Sequence, residues 1–195
     1  IIGSFDLASP GFHNALNATV AVAVAVDLGL SIEKIKKGIS QFAGVARRFQ
    51  YRGEINGVSF IDDYAHLPTE VESALEAAKA GKWNRIVAVF QPHRFTRTND
   101  LASTFSDCFQ DADEIVITGI YSAGEKAIPG VTGKLIADAV ESKAIGKNVR
   151  YCQHREDLIV FLRELLVEGD LCLTLGAGDL TNIVDQLMGA LEDGQ

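Results

Sequence analysis

The sequence predicts an α/β fold: a mainly parallel sheet with helices on both faces. Three observations carry that expectation. Short apolar runs such as Arg85–Phe90 (RIVAVF), Glu114–Thr118 (EIVIT) and Leu171–Leu175 (LCLTL) alternate with segments of helical periodicity. The intervening segments are long enough for the crossover that parallel neighbours need. The composition is globular, with 47% hydrophobic and 23% charged residues and only 4 prolines in 195 residues, which excludes a disordered or fibrous chain.

In chain order, Ala15–Val26 (ALNATVAVAVAV) alternates like a strand, but its alanine content and length favour a helix beginning after Pro10-Gly11 and closing at Gly29. Ser31 is placed to cap a second helix with Ile32, Ile35, Ile39 and Phe42 on one face and Lys34, Lys36 and Lys37 mostly on the wet side. Gly44-Val45-Ala46-Arg47-Arg48-Phe49 breaks the pattern and marks a domain boundary. Asn56-Gly57 predicts a hairpin turn between strands Gln50–Ile55 and Val58–Asp62. Pro68 opens a helix to about Ala80. After strand Arg85–Phe90, a helix is expected over Asn99–Gln110, then strand Glu114–Thr118 and a long loop with Tyr121, Gly124, Pro129 and Gly130. A helix from Thr132 to about Lys143, strand Asn148–Cys152, helix Arg155–Val167, strand Leu171–Leu175 and helix Asp179–Leu191 complete the order.

Acidic residues exceed basic ones by 26 to 18, a net charge of −8, which leaves no footprint for nucleic acid or an anionic membrane. Cys108, Cys152 and Cys172 are far apart and form no CxxC pair, so a disulfide framework or zinc knuckle is not expected and a cytoplasmic setting is. These cysteines and His154 read as structural. The chain opens on Ile1, and its one methionine is Met188. A piece of a longer protein is therefore expected.

In an open parallel sheet, ligands gather beyond the carboxyl ends of the strands. Three such ends carry unusual residues. Asp62-Asp63-Tyr64-Ala65-His66-Leu67-Pro68 places two carboxylates and a histidine before a helix. One carboxylate could bind ribose hydroxyls or a cation, or the group could simply cap the turn and helix. Gln91-Pro92-His93-Arg94-Phe95-Thr96-Arg97-Thr98 concentrates a histidine and two arginines in an anion-binding loop. Thr174-Leu175-Gly176-Ala177-Gly178-Asp179 is a glycine-containing turn that lacks the third glycine of a dinucleotide fingerprint, with Thr181 in its place. Upstream, Asn14 and Asn17 share a helix face, where amides could read an adenine edge or cap the helix. Arg47-Arg48 stand at the domain boundary, a frequent nucleotide-binding position. No GxxxxGK[ST] phosphate loop is present.

In this order and spacing, HNALNA, GVARRF, DDYAHLPTE, FQPHRFTRT, YSAGEKAIPG and TLGAGDL resemble the carboxyl-terminal part of the Mur ligases. These are ATP-dependent enzymes that build the peptide of the bacterial cell-wall precursor. The resemblance covers nearly the whole chain and is closest to the branch that joins L-alanine to UDP-N-acetylmuramate, with DDYAH and FQPHR its most specific blocks.

The resemblance implies that residues 1–46 are the helical end of the central ATP-binding domain and 47–195 a Rossmann-like ligase domain. It places Asn14 and Asn17 near adenine, Arg48 on the ATP phosphates and Asp63 on the ribose. Tyr64, His66, His93, Arg94 and Arg97 fall around the incoming L-alanine, with His66 or His93 assisting amine deprotonation. Leu67 stands where the family usually has a second histidine. ATP and Mg2+ are the implied cofactors, with the magnesium ligands upstream of this chain, so no metal site and no activity are expected of the chain alone. Pairing between copies through residues 1–46 is a further expectation. Two other readings remain: a recycling ligase that adds a tripeptide to the same nucleotide sugar, and a non-catalytic nucleotide-binding module.

Overall fold

The structure, a computed structural model, describes residues 2–8, 11–42, 45–143 and 146–192. Of the positions singled out above, Ile1, Pro10, Gly44 and Gln195 lie outside the described residues.

Helix α1 (Phe12–Asp27) confirms the helical reading of the Ala/Val segment and ends through Leu28 and Gly29, the latter at φ 77°. Helix α2 (Ile32–Gln41) is capped by the Ser31 hydroxyl, which accepts from the Lys34 N–H at 3.5 Å. Strands β1 (Gln50–Ile55) and β2 (Val58–Asp63) form the expected hairpin. Its turn needs two left-handed residues, supplied by Asn56 (φ 53°) and Gly57 (φ 73°). Helix α3 (Pro68–Lys79), β3 (Arg85–Phe90), α4 (Phe95–Leu101), β4 (Glu114–Thr118), α5 (Lys134–Glu141), β5 (Asn148–Cys152), α6 (Arg155–Leu165), β6 (Asp170–Leu175) and α7 (Thr181–Glu192) follow.

One element differs from expectation. The helix read over Asn99–Gln110 starts four residues earlier, at Phe95, and gives way at Ala102 to a 3-10 turn through Phe105. A hydroxyl favours the early stop: Thr104 Oγ1 donates to the Leu101 carbonyl at 2.7 Å, which occupies an acceptor that α-helical pairing would use. The apolar pattern that suggested a helix there is real. Phe105 and Phe109 are buried, with rings 5.1 and 5.7 Å from Phe90.

The six strands lie in the order β1-β2-β6-β3-β4-β5, antiparallel only between β1 and β2. One face is covered by α3, the 3-10 segment and α5, through Val71, Leu75, Phe105, Ile136 and Val140. The other is covered by α6 and α7, through Leu158, Leu162, Ile183, Val184 and Leu187. Being buried on both faces, β3 and β6 read as near-continuous apolar runs rather than alternating ones, and β2, equally buried, carries Ser59, Asp62 and Asp63 among its apolar residues.

This topology sets the site. β3 passes the chain to α4 on one face, and β6, its neighbour, passes it to α7 on the other. Their carboxyl ends therefore diverge, which opens a crevice at the sheet edge. Gln91 spans it: its amide donates to Asp179 at 2.8 Å and its carbonyl accepts from the Leu180 N–H at 3.2 Å. α1 and α2 pack on each other before the sheet begins, with Val22 and Ile35 buried.

Candidate functional site

The linker between α2 and β1 is bound tightly to the strand ends. Arg47 and Phe49 both adopt left-handed backbone, at φ 59° and 48°, a cost that persists only where the surroundings fix it. Here they do. The Arg47 carbonyl accepts from the Tyr64 N–H at 2.7 Å. The Arg47 guanidinium donates to Asp62 at 3.1 Å, to the Gly178 carbonyl at 3.1 Å and to the Gly176 carbonyl. The Phe49 N–H donates to Asp63 at 2.7 Å, and the Ala65 N–H occupies the other Asp63 oxygen at 2.7 Å.

Of the alternatives the sequence offered for the two carboxylates, the turn cap is seen at Asp63, which accepts from the Ala65 N–H two residues on. Asp62 is 1% exposed and bonded to Arg47 and to the Thr174 hydroxyl at 2.7 Å. Asp63 is buried and fastens the linker to the strand end. Burial pushes its carboxyl above the ordinary value, against the two N–H groups and the nearby Arg48 charge, which pull it down. A ribose at Asp63 would share oxygens that already hold Phe49 and Ala65.

Beyond Asp63 runs a chain of rings. Tyr64 meets His66 edge-on at 5.5 Å, His66 lies 5.7 Å from His93, and His93 stacks on Tyr121 at 5.6 Å and 22°. Arg47 and Arg48 lie over the Tyr64 ring at 5.1 and 5.6 Å. His66 does not cap α3. Glu70 does, reaching back to accept from the His66 and Leu67 N–H groups at 2.9 and 3.2 Å.

The two histidines are held in opposite tautomers. His66 Nδ1 is 3.1 Å from the Tyr64 carbonyl and 3.3 Å from Glu70. Both oxygens only accept, so in the neutral ring Nδ1 carries the hydrogen and Nε2 the lone pair. His93 Nδ1 is 3.1 Å from Arg97 Nη1, which only donates, so its hydrogen sits on Nε2. Burial, then the charges of Arg97, His66 and Arg94, hold His93 below the ordinary histidine value, and Glu125 opposes them weakly. His93 is therefore a neutral hydrogen-bond donor near pH 7, and His66 presents the open basic nitrogen.

Arg97 lies on the first turn of α4 rather than in a loop, and Arg94 stands just before it at φ 72°, ψ 139°. That region is comfortable only for glycine and costs about 1–3 kcal/mol elsewhere. Arg94 is exposed, and its backbone is held at both ends: its N–H donates to the Tyr121 carbonyl at 2.8 Å, and its carbonyl accepts from Thr98.

A second concavity, a cleft of about 610 Å³, opens between α1, α2 and the linker, within the range of small-molecule sites. Asn14, Asn17 and Arg48 line it together with the apolar Ile39, Phe42 and Val45. Arg48 therefore belongs to both places, one wall of this cleft and one cap of the ring chain. Among the described residues, no group of three or more His, Cys, Asp or Glu side chains could hold a metal.

Sequence reasoning noted Arg47 only beside Arg48 at the domain boundary and Tyr121 only within the YSAGEKAIPG block, and gave neither a role. In the structure the β6–α7 turn closes on Tyr121, so that a Cβ at Gly178 would sit 2.5 Å from its ring. The cysteines carry no chemistry: all three are free and buried, and burial pushes the Cys108 and Cys172 thiols up to about 12.

The family profile described as "Mur ligase, glutamate ligase domain" matches residues 47–178. The chain belongs to the Mur ligase family. Among curated relatives, it is 45% identical over 194 residues to the UDP-N-acetylmuramate–L-alanine ligase of Pelotomaculum thermopropionicum, covering 100% of this chain and 42% of that protein. It is 46% identical over 187 residues to the ligase of the same name from Carboxydothermus hydrogenoformans, covering 96% and 40%. Among solved structures, the UDP-N-acetylmuramate–alanine ligase of Thermotoga maritima superposes with a TM-score of 0.79 at 30% identity, over 98% of this chain and 40% of that one. A murein peptide ligase from Psychrobacter arcticus shares the fold, with a TM-score of 0.71 at 23% identity over 96% and 38%. This Mur ligase chain thus spans about two fifths of the length of the curated relatives it matches. Among its described residues, no helix is long and apolar enough to cross a membrane.

Proposed function

We propose that this chain is the carboxyl-terminal part of a cytoplasmic ligase that joins L-alanine to UDP-N-acetylmuramate at the expense of ATP. Residues 1–46 would close the central ATP-binding domain, and 47–195 would form the ligase domain that brings the amino acid. The observation that carries the reading is Arg48, which lines the Asn14–Asn17 cleft and also covers the Tyr64 ring at the head of the histidine chain. A nucleotide whose adenine lay against the two asparagines would direct its phosphates through Arg48 toward Tyr64, His66 and His93. Full-length relatives carrying the name of that reaction support the choice of L-alanine over a tripeptide.

The chemistry divides among the residues accordingly. ATP phosphorylates the muramoyl carboxylate, the alanine amine attacks the acyl phosphate, and phosphate leaves. The protein's share is positioning and charge stabilisation. Arg48 offsets phosphate charge. Arg94 and Arg97 present guanidinium forks to the alanine carboxylate, which a side chain of one methyl makes the main handle. His66 Nε2 is placed to take the amine proton, while the neutral His93 donates from its own Nε2. Magnesium would be held mostly by residues upstream of this chain.

The test is steady-state kinetics on the full-length protein with UDP-N-acetylmuramate and either L-alanine or the tripeptide. Turnover with L-alanine is expected, and turnover with the tripeptide alone overturns the substrate assignment. In the same assay, Arg97→Ala should raise the KM for L-alanine roughly thirtyfold, about 2 kcal/mol of charged hydrogen bonding. A KM within twofold of wild type would reduce Arg97 to a prop for His93. The chain by itself is expected not to release ADP.

A further inference from the structure

The YSAGE turn after β4 grips the FQPHRFTRT segment at four residues, Pro92, His93, Arg94 and Thr96. The Tyr121 N–H donates to the Pro92 carbonyl at 2.8 Å, and the Tyr121 carbonyl accepts from the Arg94 N–H at 2.8 Å. The Tyr121 ring stacks on His93. Glu125 then accepts twice from one residue of α4, from the Thr96 hydroxyl at 2.7 Å and from the Thr96 N–H at 3.1 Å.

The last pair answers a specific deficiency. A helix start leaves backbone N–H groups without partners, and the residue before the helix ordinarily supplies an acceptor. Before α4 that residue is Arg94, which has no acceptor and makes no side-chain cap. Glu125, 29 positions beyond Thr96, provides it instead. The same first turn carries Arg97, whose guanidinium fixes the His93 tautomer, and it follows directly on the strained Arg94 backbone.

We propose that Glu125 is a positioning residue: by capping α4 from the neighbouring loop through Thr96, it sets the joint geometry of Arg94, Arg97 and His93. That these three groups meet the acceptor amino acid rests on the function proposed above. That Glu125 holds them does not.

The decisive readout is the titration of the His93 imidazole, followed by NMR in the 195-residue chain. His93 is faced by Arg97 and Arg94 from the α4 side, by His66 from the β2–α3 turn, and by Tyr121 and Glu125 from the β4–α5 loop. Glu125 raises the His93 value by its charge, whereas burial and Arg97 lower it. The two possible roles therefore move His93 in opposite directions. If Glu125 acts only as a charge, Glu125→Ala lowers the His93 value further. If it acts by position, Glu125→Ala releases the turn, weakens the Arg97 contact and the burial, and raises His93 toward the ordinary histidine value. A rise is expected; an unchanged or lowered value overturns the proposal. Should Glu125→Ala not fold, Thr96→Val decides by the same rule, because it removes the hydroxyl grip and leaves the charge: His93 again rises, and no movement overturns the proposal.

In the full-length protein, Glu125→Ala should raise the KM for L-alanine roughly tenfold and leave that for ATP within twofold, with Glu125→Gln recovering part of the loss. Equal KM values for variant and wild type count against the proposal. A wild-type protein that does not use L-alanine overturns the proposed function instead, and the titration still decides the role of Glu125.

Discussion

Arg94 concentrates the conflict between stability and use in a single residue. Its backbone sits where glycine is at ease and arginine is not, at φ 72° and ψ 139°, and its side chain is exposed, so it brings little packing in return. The hydrogen bonds that hold this backbone, to Tyr121 and from Thr98, involve main-chain atoms that any residue would provide. Arg94→Gly should therefore relieve about 1–3 kcal/mol of strain and give back roughly 0.5–1 kcal/mol through the freer unfolded chain. The net is a stabilisation of about 1 kcal/mol, or a Tm rise of roughly 2–4 °C for a chain of this size. The same change removes a guanidinium from the acceptor loop, and the KM for L-alanine in the full-length protein should rise. Thermal melts of the two chains settle the first half. A lowered Tm would mean that the Arg94 side chain contributes more to the fold than its backbone costs.

At the scale of elements, the order of strands and helices was readable because burial on both faces makes parallel strands into unbroken apolar runs, as in RIVAVF. The hairpin was readable from Asn56-Gly57, which alone supply its two left-handed positions. Within the site, His66, His93 and Arg97 were legible as chemistry-bearing types at strand ends, and the structure does bring them together. The start of α4 was not legible. Its cap comes from Glu125, and no local pattern announces an acceptor so far along the chain. For Asp62 and Asp63 only the turn-capping alternative was legible, in the Ala65 N–H that Asp63 holds; their other partners, Arg47, Phe49 and Thr174, come from two other segments. The β6–α7 turn shows the same dependence between elements and allows a test. A Cβ at Gly178 would stand 2.5 Å from both the Gln91 amide oxygen and the Tyr121 ring. Gly178→Ala should therefore force the β3 and β4 loops apart and cost about 1–3 kcal/mol of overpacking. It should also displace the ring that stacks on His93. Chemical denaturation measures the first effect and the His93 NMR resonance the second. If stability and resonance both stay at wild-type values, the three loops are not packed as tightly as these distances imply.

The whole molecule joins a well-covered sheet to a poorly covered pair of helices. Phe12, Leu16, Val20 and Val24 along α1, and Leu28 just past its end, recur every fourth residue and are 77, 52, 64, 54 and 74% exposed. A continuous apolar stripe of this kind is unusual on a free surface, and it fits a chain that spans about two fifths of its relatives. α1 and α2 meet through few buried side chains, Val22 and Ile35, and helices of this length gain most of their stability from packing rather than from propensity. The central strands are the opposite case: Val87 and Leu173 are 0% exposed, between two strands and under helices on both faces. Local opening should therefore cost far less in residues 12–41 than in β3 and β6. Amide exchange in the 195-residue chain should run at least about a hundredfold faster at Val20–Val26 than at Val87 or Leu173, a difference of roughly 3 kcal/mol in opening free energy. The measurement belongs at concentrations where sedimentation shows a monomer, because two copies meeting through the α1 stripe would protect it. Equal protection of α1 and the central strands in such a monomer would show that the helical pair is held by the sheet domain itself, and the division of the chain at residue 46 would then have to be withdrawn.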